Sequence, residues 1–468
     1  MSSTASPSQI VLPLRSRVTC PHCWNEFPPD RALWIAQHPD LVGDPRLGAD
    51  QPQRFLPTRF NVQGAAIDSR GFACHGLACP KCHLAVPRPM FEMRKLFVSI
   101  LGSPASGKSY YLAAMTWRLR SVLPKYFAVG FNDADPALNH RLQEYESLQF
   151  LNPNQEALVA IEKTETQGDL YDMVLFGDQA VSYPRPFIFS LLPLQGHANL
   201  HAAGKVARAI CVYDNAGESF LPGEDASTSP VTRHLALSRV LMFLFDPTQD
   251  MRYRRLCSGK TADPQMMERT ERLQRERAVR QETILSEAAQ RVRRYAGLAQ
   301  SQKHDRPLMV VVTKFDSWKH LLAGATLPAI RVVNPLSSQS AVNLEGIEEV
   351  SKLVRSLLWK NSPEIVSAAE SFASQVLYVP VSATGRGPET DPNTGALGFR
   401  PKDMKPIWVE VPMLYALARG TQGLVPCVKP WPWSQGGGSD SAWSPGLAPS
   451  PNGGAGNAAS TANQKASR

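Results

Sequence analysis

At 468 residues, 43% of them hydrophobic, the chain exceeds one ordinary domain and has ample apolar material for a packed core. No uninterrupted apolar run approaches the roughly 18 residues of a membrane span, and the opening MSSTASPSQI lacks the charged and apolar regions of a signal peptide, so a cytoplasmic protein without a membrane role is expected. The formal charge of +9 is modest for this length and permits an acidic partner or nucleic acid without requiring one.

Residues 1–17 read as a flexible N-terminus. Of the eight cysteines, four form two matching knuckles, Cys20-Pro-His-Cys23 and Cys79-Pro-Lys-Cys82. A CxxC turn brings two thiolates onto one side of a tight bend, and two such bends complete a tetrahedral Zn²⁺ shell. A zinc ribbon over residues 18–90 is therefore expected, with residues 24–78, rich in Pro, Arg and Gly, forming a long inserted loop. Cys74, His75, His22 and His83 lie close enough in sequence to substitute as ligands. A disulfide or buried free thiols are the competing readings, the first disfavoured in a reducing cytosol. So small a unit would depend on zinc for folding, and Cys79→Ser is expected to unfold residues 18–90 while leaving ligand binding by the remaining chain largely intact. Cys211, Cys257 and Cys427 read as small apolar residues.

From Leu96 an apolar, β-branched run gives way to Gly102-Ser103-Pro104-Ala105-Ser106-Gly107-Lys108-Ser109, the GxxxxGKS phosphate-binding loop. Its glycines let successive N–H groups point at phosphate oxygens, Lys108 reaches the β- and γ-phosphates, and the Ser109 hydroxyl goes to Mg²⁺. Tyr110 to Leu119 reads as the helix whose positive end completes the anion site. Further on, Tyr126 to Phe131 reads as a strand and His140 to Gln149 as a helix. Pro186 to Pro193 and Ala207 to Tyr213 look like an antiparallel pair, the second ending in Asp214-Asn215-Ala216-Gly217-Glu218.

Two buried-strand runs follow, Arg239 to Phe245, ending at Asp246-Pro247, and Pro307 to Val312, leading into Thr313-Lys314-Phe315-Asp316. In TKFD the carboxylate of Asp316 would accept the N1–H and N2–H₂ donors of guanine as a pair, while the lysine stem lies along the base; adenine offers no such pair. The last run, Val376 to Val381, ends in Ser382-Ala383-Thr384-Gly385, whose backbone amide would meet the guanine O6.

Over residues 95–420 these junctions, in this order, resemble the Ras-like (TRAFAC) class of P-loop GTPases. The resemblance implies an α/β, doubly wound sheet binding GTP or GDP with Mg²⁺. It implies Gly102, Ser103, Ala105, Ser106, Gly107 and Lys108 around the phosphates, Ser109 and Asp214 on Mg²⁺, and Gly217 sensing the γ-phosphate. Thr313, Lys314, Asp316, Ser382 and Ala383 would hold the base. The knuckles, the segment with Lys163-Thr-Glu-Thr166 and Tyr183-Pro-Arg-Pro-Phe187, DNAGE, and Phe243-Leu-Phe-Asp-Pro-Thr-Gln249 resemble more narrowly the bacterial double-GTPase type of predicted conflict or defence systems. That type implies a partner GTPase or effector protein.

The chain departs from a minimal pattern in three places. The distance from Lys108 to Asp214 leaves Thr164 and Thr166 as candidates for the Mg²⁺-binding threonine. Glu218 stands where many members place a water-orienting Gln; its charge would repel the γ-phosphate, so GTP hydrolysis is expected to be slow without a partner. Residues 248–305 form a basic insertion, with a long helix expected from about Gln265 to Tyr295. Glu268/Arg272, Glu271/Arg275 and Glu276/Arg280 are i,i+4 pairs along it. Packing through Ile284, Ala288 and Val292 is favoured over a nucleic-acid or partner surface. Glu345 to Trp359, Pro363 to Gln375 and Trp408 to Arg419 read as helices, and residues 430–468, dominated by Gly, Ser, Pro and Ala, as a disordered tail. Two other classes stay open: a zinc-ribbon module recognising nucleic acid or protein, with nucleotide held only structurally, and a phosphotransferase, against which TKFD argues.

Overall fold

The computed structural model describes residues 12–161, 171–215, 230–266, 280–322, 326–333 and 340–428. The chain divides into Met1–Lys429 and Pro430–Arg468. The second unit, where the tail is expected, lies outside the described residues, as do residues 1–11.

The first unit is built on a seven-stranded sheet. Its strands are β1 (Arg94–Gly102), β2 (Val129–Asp133), β3 (Phe187–Pro193), β4 (Arg208–Asp214), β5 (Val240–Phe245), β6 (Leu308–Val312) and β7 (Val376–Pro380). They lie in the order β2-β3-β4-β1-β5-β6-β7. β1 runs parallel to β4 and β5, and β5, β6 and β7 continue in parallel. β3 is antiparallel to both neighbours, so the hairpin expected from its pattern is present. The carboxyl ends of β4, β1, β5, β6 and β7 therefore fall along one edge, where open α/β sheets place their ligands.

The longer helices are α1 (Lys108–Phe127), α2 (Pro136–Phe150), α3 (Pro230–Leu237), α4 (Gln281–Ala296), α5 (Leu344–Asn361), α6 (Pro363–Phe372) and α7 (Val411–Gly420). β5 and β6 are buried along their whole length, as parallel strands covered on both faces must be. In β4 the two-residue alternation separates two environments. Ile210 and Val212 join the main core with α1, whereas Ala209, Cys211 and Tyr213 face Cys20, Cys23, Trp24 and Phe27. The cysteine knuckles thus cover one face of the sheet and share its core.

The insertion differs from the expected single helix. Arg280 is extended (φ −60°, ψ 127°), α4 begins only at Gln281, and Pro264–Met266 is an isolated 3-10 turn. The expected i,i+4 pairs fall mostly on residues 267–279, outside the described residues. The packing face is present: Ile284, Ala288 and Val292 are buried in the main core. α4 ends at Gly297, whose left-handed φ of 65° lets its N–H bond the carbonyls of Arg293 and Arg294. Among the described residues no helix is long and apolar enough to cross a membrane.

Candidate nucleotide site and four-cysteine centre

β1 ends at Gly102, a position only glycine fits: a Cβ would sit 2.8 Å from the Leu244 carbonyl and 3.0 Å from Ser106 Oγ. The loop then turns through Ala105 and Gly107, both at positive φ (59° and 86°), and α1 starts at Lys108. Glycine suits the second position, since a side chain at that φ is strained. Lys108 is folded back on the loop, its Nζ donating to the carbonyls of Gly102 (3.2 Å) and Ser103 (3.0 Å). Ser106 Oγ is buried with no hydrogen-bond partner among the described residues.

Asp214 closes β4 opposite Ile100 of β1. Burial pushes its carboxyl up to about 6, and the charge of Lys108 opposes the shift. Its Oδ1 is buried without a hydrogen-bond partner among the described residues. A buried carboxylate oxygen left unpaired is costly, and a divalent cation near Lys108 and Ser109 would satisfy it, so these residues fit a Mg²⁺ site. Gly217, Glu218, Thr164 and Thr166 lie outside the described residues.

At the far end of the same edge, Thr313 is buried and its hydroxyl donates to the carbonyl of Phe245 (3.2 Å). Lys314 adopts a left-handed φ of 54°, which sends its Nζ to Asp246 Oδ2 (2.7 Å) and Thr248 Oγ1 (2.9 Å). Asp316 Oδ1 accepts a hydrogen bond from Ser382 Oγ (2.5 Å), while the Ser317 hydroxyl, 3.2 Å from Asp316 Oδ2, has its nearer acceptor in Asp263 Oδ2 (2.6 Å). Burial raises the Asp316 carboxyl and the Ser382 bond opposes it. The strand-end residues thus meet in pairs, β6 to β5 and β6 to β7.

One cleft of about 310 Å³ joins the two ends. The phosphate-loop residues Ala105, Ser106, Gly107, Lys108 and Ser109 line one side, and Thr313, Lys314, Ser382 and Ala383 line the other. Gly102, Ser103, Asp214 and Asp316 are not among the residues that line it.

Three positioning residues were missed by sequence reasoning. Gln249 Oε1 accepts from Ser103 Oγ (2.9 Å) while its Nε2 donates to the Pro104 carbonyl (3.0 Å). Gln281, at the start of α4, accepts from the Asp246 N–H (2.8 Å) and donates to the Asp246 carbonyl (2.9 Å). Asp246 ties both to Lys314. The DPTQ string after β5 was the available signal for Asp246 and Gln249; Gln281 stands 35 residues from Asp246 with none.

In the knuckles, the sulfurs of Cys20, Cys23, Cys79 and Cys82 all lie within 4.8 Å of one another. Cys20 to Cys82 and Cys23 to Cys79 are each 3.7 Å. A tetrahedral zinc with Zn–S bonds of about 2.3 Å requires sulfurs about 3.8 Å apart. The backbone N–H groups of His22 and Lys81 point at Cys20 Sγ and Cys79 Sγ (3.4 Å each), the outer-shell donors thiolates need. The alternative ligands are engaged elsewhere: His22 Nε2 with the Ala85 carbonyl, His83 with Asp44, and Cys74 beside Asp68. His75 is absent from the cluster. The four cysteines fit zinc.

No family model matches the chain, and no curated protein matches it. Among solved structures it is similar to Era in complex with MgGDPNP and a 16S ribosomal RNA segment, at 13% identity and a TM-score of 0.20, over 62% of this chain and 52% of that one. It is also similar to an Aquifex aeolicus Era variant bound to GDP and AlF4⁻, at 12% identity and a TM-score of 0.21, over 66% of this chain and 62% of that one. A third is the Chaetomium thermophilum signal recognition particle receptor complex SRb-GTP/SRX, at 12% identity and a TM-score of 0.22, over 63% of this chain and 96% of that one. The chain thus spans between half and two thirds of either Era structure. At these levels of overlap, the function of the site rests on its own geometry.

Proposed function

We propose that this chain binds guanine nucleotide with Mg²⁺, hydrolyses GTP and acts as a nucleotide-dependent switch. The supporting observation is the single cleft lined by the phosphate loop at one end and by Thr313, Lys314, Ser382 and Ala383 at the other, with Asp316 just behind that wall, hydrogen-bonded to Ser382. In this reading Lys108 exchanges the Gly102 and Ser103 carbonyls for phosphate oxygens, a move of a side chain already at the site. Asp214 and Ser109 hold Mg²⁺, which when bound neutralises charge developing on the transferred phosphoryl group. Asp316 exchanges the Ser382 hydroxyl for the guanine N–H pair. Glu218, as a carboxylate, could accept the water's hydrogen bond but would repel the γ-phosphate, so turnover is slow until a partner acts. A partner GTPase or effector, in a bacterial conflict or defence setting, is the output the narrower resemblance suggests.

Asp316→Asn tests the base assignment. The amide presents an N–H against guanine donors but suits xanthine, which has a carbonyl in place of the 2-amino group. GTP affinity should fall, and XTP affinity rise, by roughly 1–3 kcal/mol for each mispaired buried group. Competition binding with GTP, ATP and XTP reads it. A wild type that prefers ATP, or a mutant whose preference stays put, would reduce TKFD to a strand-end turn. Single-turnover hydrolysis separates a switch from a structural site, which would keep its GTP intact.

A further inference from the structure

The cleft has a wall that none of the strand-end motifs supplies. Besides the two polar ends, Ile161, Leu397 and Phe399 line it. Ile161 belongs to the chain after α2, and Leu397 and Phe399 to the return arm of a hairpin beyond the Ser382-Ala383 loop, whose strands are Glu389–Thr390 and Leu397–Gly398. These two distant stretches are stitched into one piece. Val159 and Phe399 exchange both backbone hydrogen bonds, Val159 N to Phe399 O at 2.9 Å and Phe399 N to Val159 O at 2.8 Å. The approach is close at Gly398, where a Cβ would lie 2.6 Å from Leu158 Cγ and 3.1 Å from the Val159 carbonyl. Outside the cleft, Glu156 pairs with Lys402 (2.6 Å) and Arg400 (3.6 Å).

The stitched piece is anchored to the phosphate loop's own helix. Tyr110, next to Ser109, accepts the Ile161 N–H on its hydroxyl (2.8 Å), and its ring meets the Phe399 ring edge-on with centroids 5.3 Å apart. Phe399 is half-buried although its backbone is fixed on both sides, so part of the ring faces the cleft. An apolar, aromatic face between a phosphate loop and a base-reading loop matches a nucleoside, whose faces are apolar while its edges and phosphates are polar.

From this geometry we infer that Phe399, backed by Tyr110 and Ile161, is a nucleoside-contacting residue, and that the stretch 155–161 and the hairpin together form a clasp over the sugar and base of the bound nucleotide. The inference rests on the guanine-nucleotide reading above and assigns the substrate-contacting face which that reading leaves unassigned.

The test compares two probes, GDP and inorganic pyrophosphate, by calorimetry on the full chain, wild type against Phe399→Ala and Phe399→Trp. Pyrophosphate engages only the phosphate loop. Phe399→Ala should weaken GDP about tenfold, in the range of base–aromatic stacking, and leave pyrophosphate unchanged; Phe399→Trp should restore GDP binding. An unchanged GDP affinity in Phe399→Ala would overturn the clasp while leaving the nucleotide reading standing. An equal loss for both probes would assign Phe399 to packing of α1 and overturn it too. A wild type that binds neither probe would sink the nucleotide reading and the clasp with it.

Discussion

Asp246 shows how a buried charge can serve a site without touching its ligand. Its side chain is fully buried; Oδ1 accepts from the Thr248 N–H (2.9 Å), and Oδ2 accepts from Lys314 Nζ (2.7 Å). The pair extends the stem of Lys314 along the cleft, where the base would lie, while Gln249 carries the same network to the phosphate loop. Asp246→Asn keeps an oxygen for Thr248 but removes the charge that draws Lys314 in. Breaking a charge-assisted bond of this kind costs about 1–3 kcal/mol. Because Lys314 is partly exposed and can reach water, the lower part of that range is expected in stability. GDP affinity should fall more than pyrophosphate affinity, since the base end loses its order first. Urea melts with and without GDP would show this as a smaller ligand-induced shift in midpoint; an undiminished shift would mean that Lys314 is held by the backbone turn alone.

Elements with a strong local signal were legible in the chain, and those held by distant contacts were not. The β3–β4 hairpin, the phosphate loop and the three strand-end motifs each combine an apolar run with a turn residue forced by geometry, as Gly102 is by Leu244. The break at Arg280 was not legible, since charged residues at helical spacing continue through it, whereas Gln281 leaves that pattern to clamp Asp246 from across the sheet. Likewise the pairing of Val159 with Phe399 has no local signature. The edge of the sheet at α6 shows another tertiary effect, at His304. Its backbone is bridged to Phe372 and Ser374, and burial lowers its imidazole to about 4 from an ordinary 6.5. The unfolded chain therefore binds a proton at this residue that the folded chain refuses. Stability should be level above about pH 6.5 and fall as the pH drops from there towards 4, by up to about 3 kcal/mol from this group. His304→Gln should flatten that part of a stability–pH profile measured by denaturant melts; an unchanged slope would place the acid sensitivity elsewhere.

The knuckles and the nucleotide site are connected through one strand. Tyr213, the residue before Asp214, donates its hydroxyl to the carbonyl of Pro21 between the first two cysteines (2.5 Å). Trp24, next to Cys23, lies against Phe97 of β1 and Tyr213, with ring centroids 4.1 Å and 6.1 Å away. On its other side Tyr213 stacks on His234 of α3 (4.5 Å), and His234 bonds the side chain of Asn215, whose own amide reaches the Ile100 carbonyl (2.8 Å). The knuckles thus share a core with the strand that ends at Asp214, packing on its Tyr213 face, so loss of the ribbon is expected to reach the nucleotide site. A structural zinc contributes roughly 10–16 kcal/mol in small metal-folded units, more than most whole domains possess in net stability, so losing it should unfold the knuckles. Unfolding them exposes Trp24, Phe97 and Tyr213, each aromatic ring burying on the order of 150–250 Å², which at about 25 cal/mol per Å² is several kcal/mol taken from the β1–β4 face. Cys79→Ser, or zinc removal by a chelator, should therefore lower Mg²⁺–GDP affinity along with metal content, and Tyr213→Phe, which deletes only the Pro21 bond, should produce a smaller loss in the same direction. Metal analysis paired with calorimetric GDP titration measures both. Zinc-free protein that binds Mg²⁺–GDP as tightly as the zinc-loaded chain would show that β4 holds Asp214 in place without the knuckles.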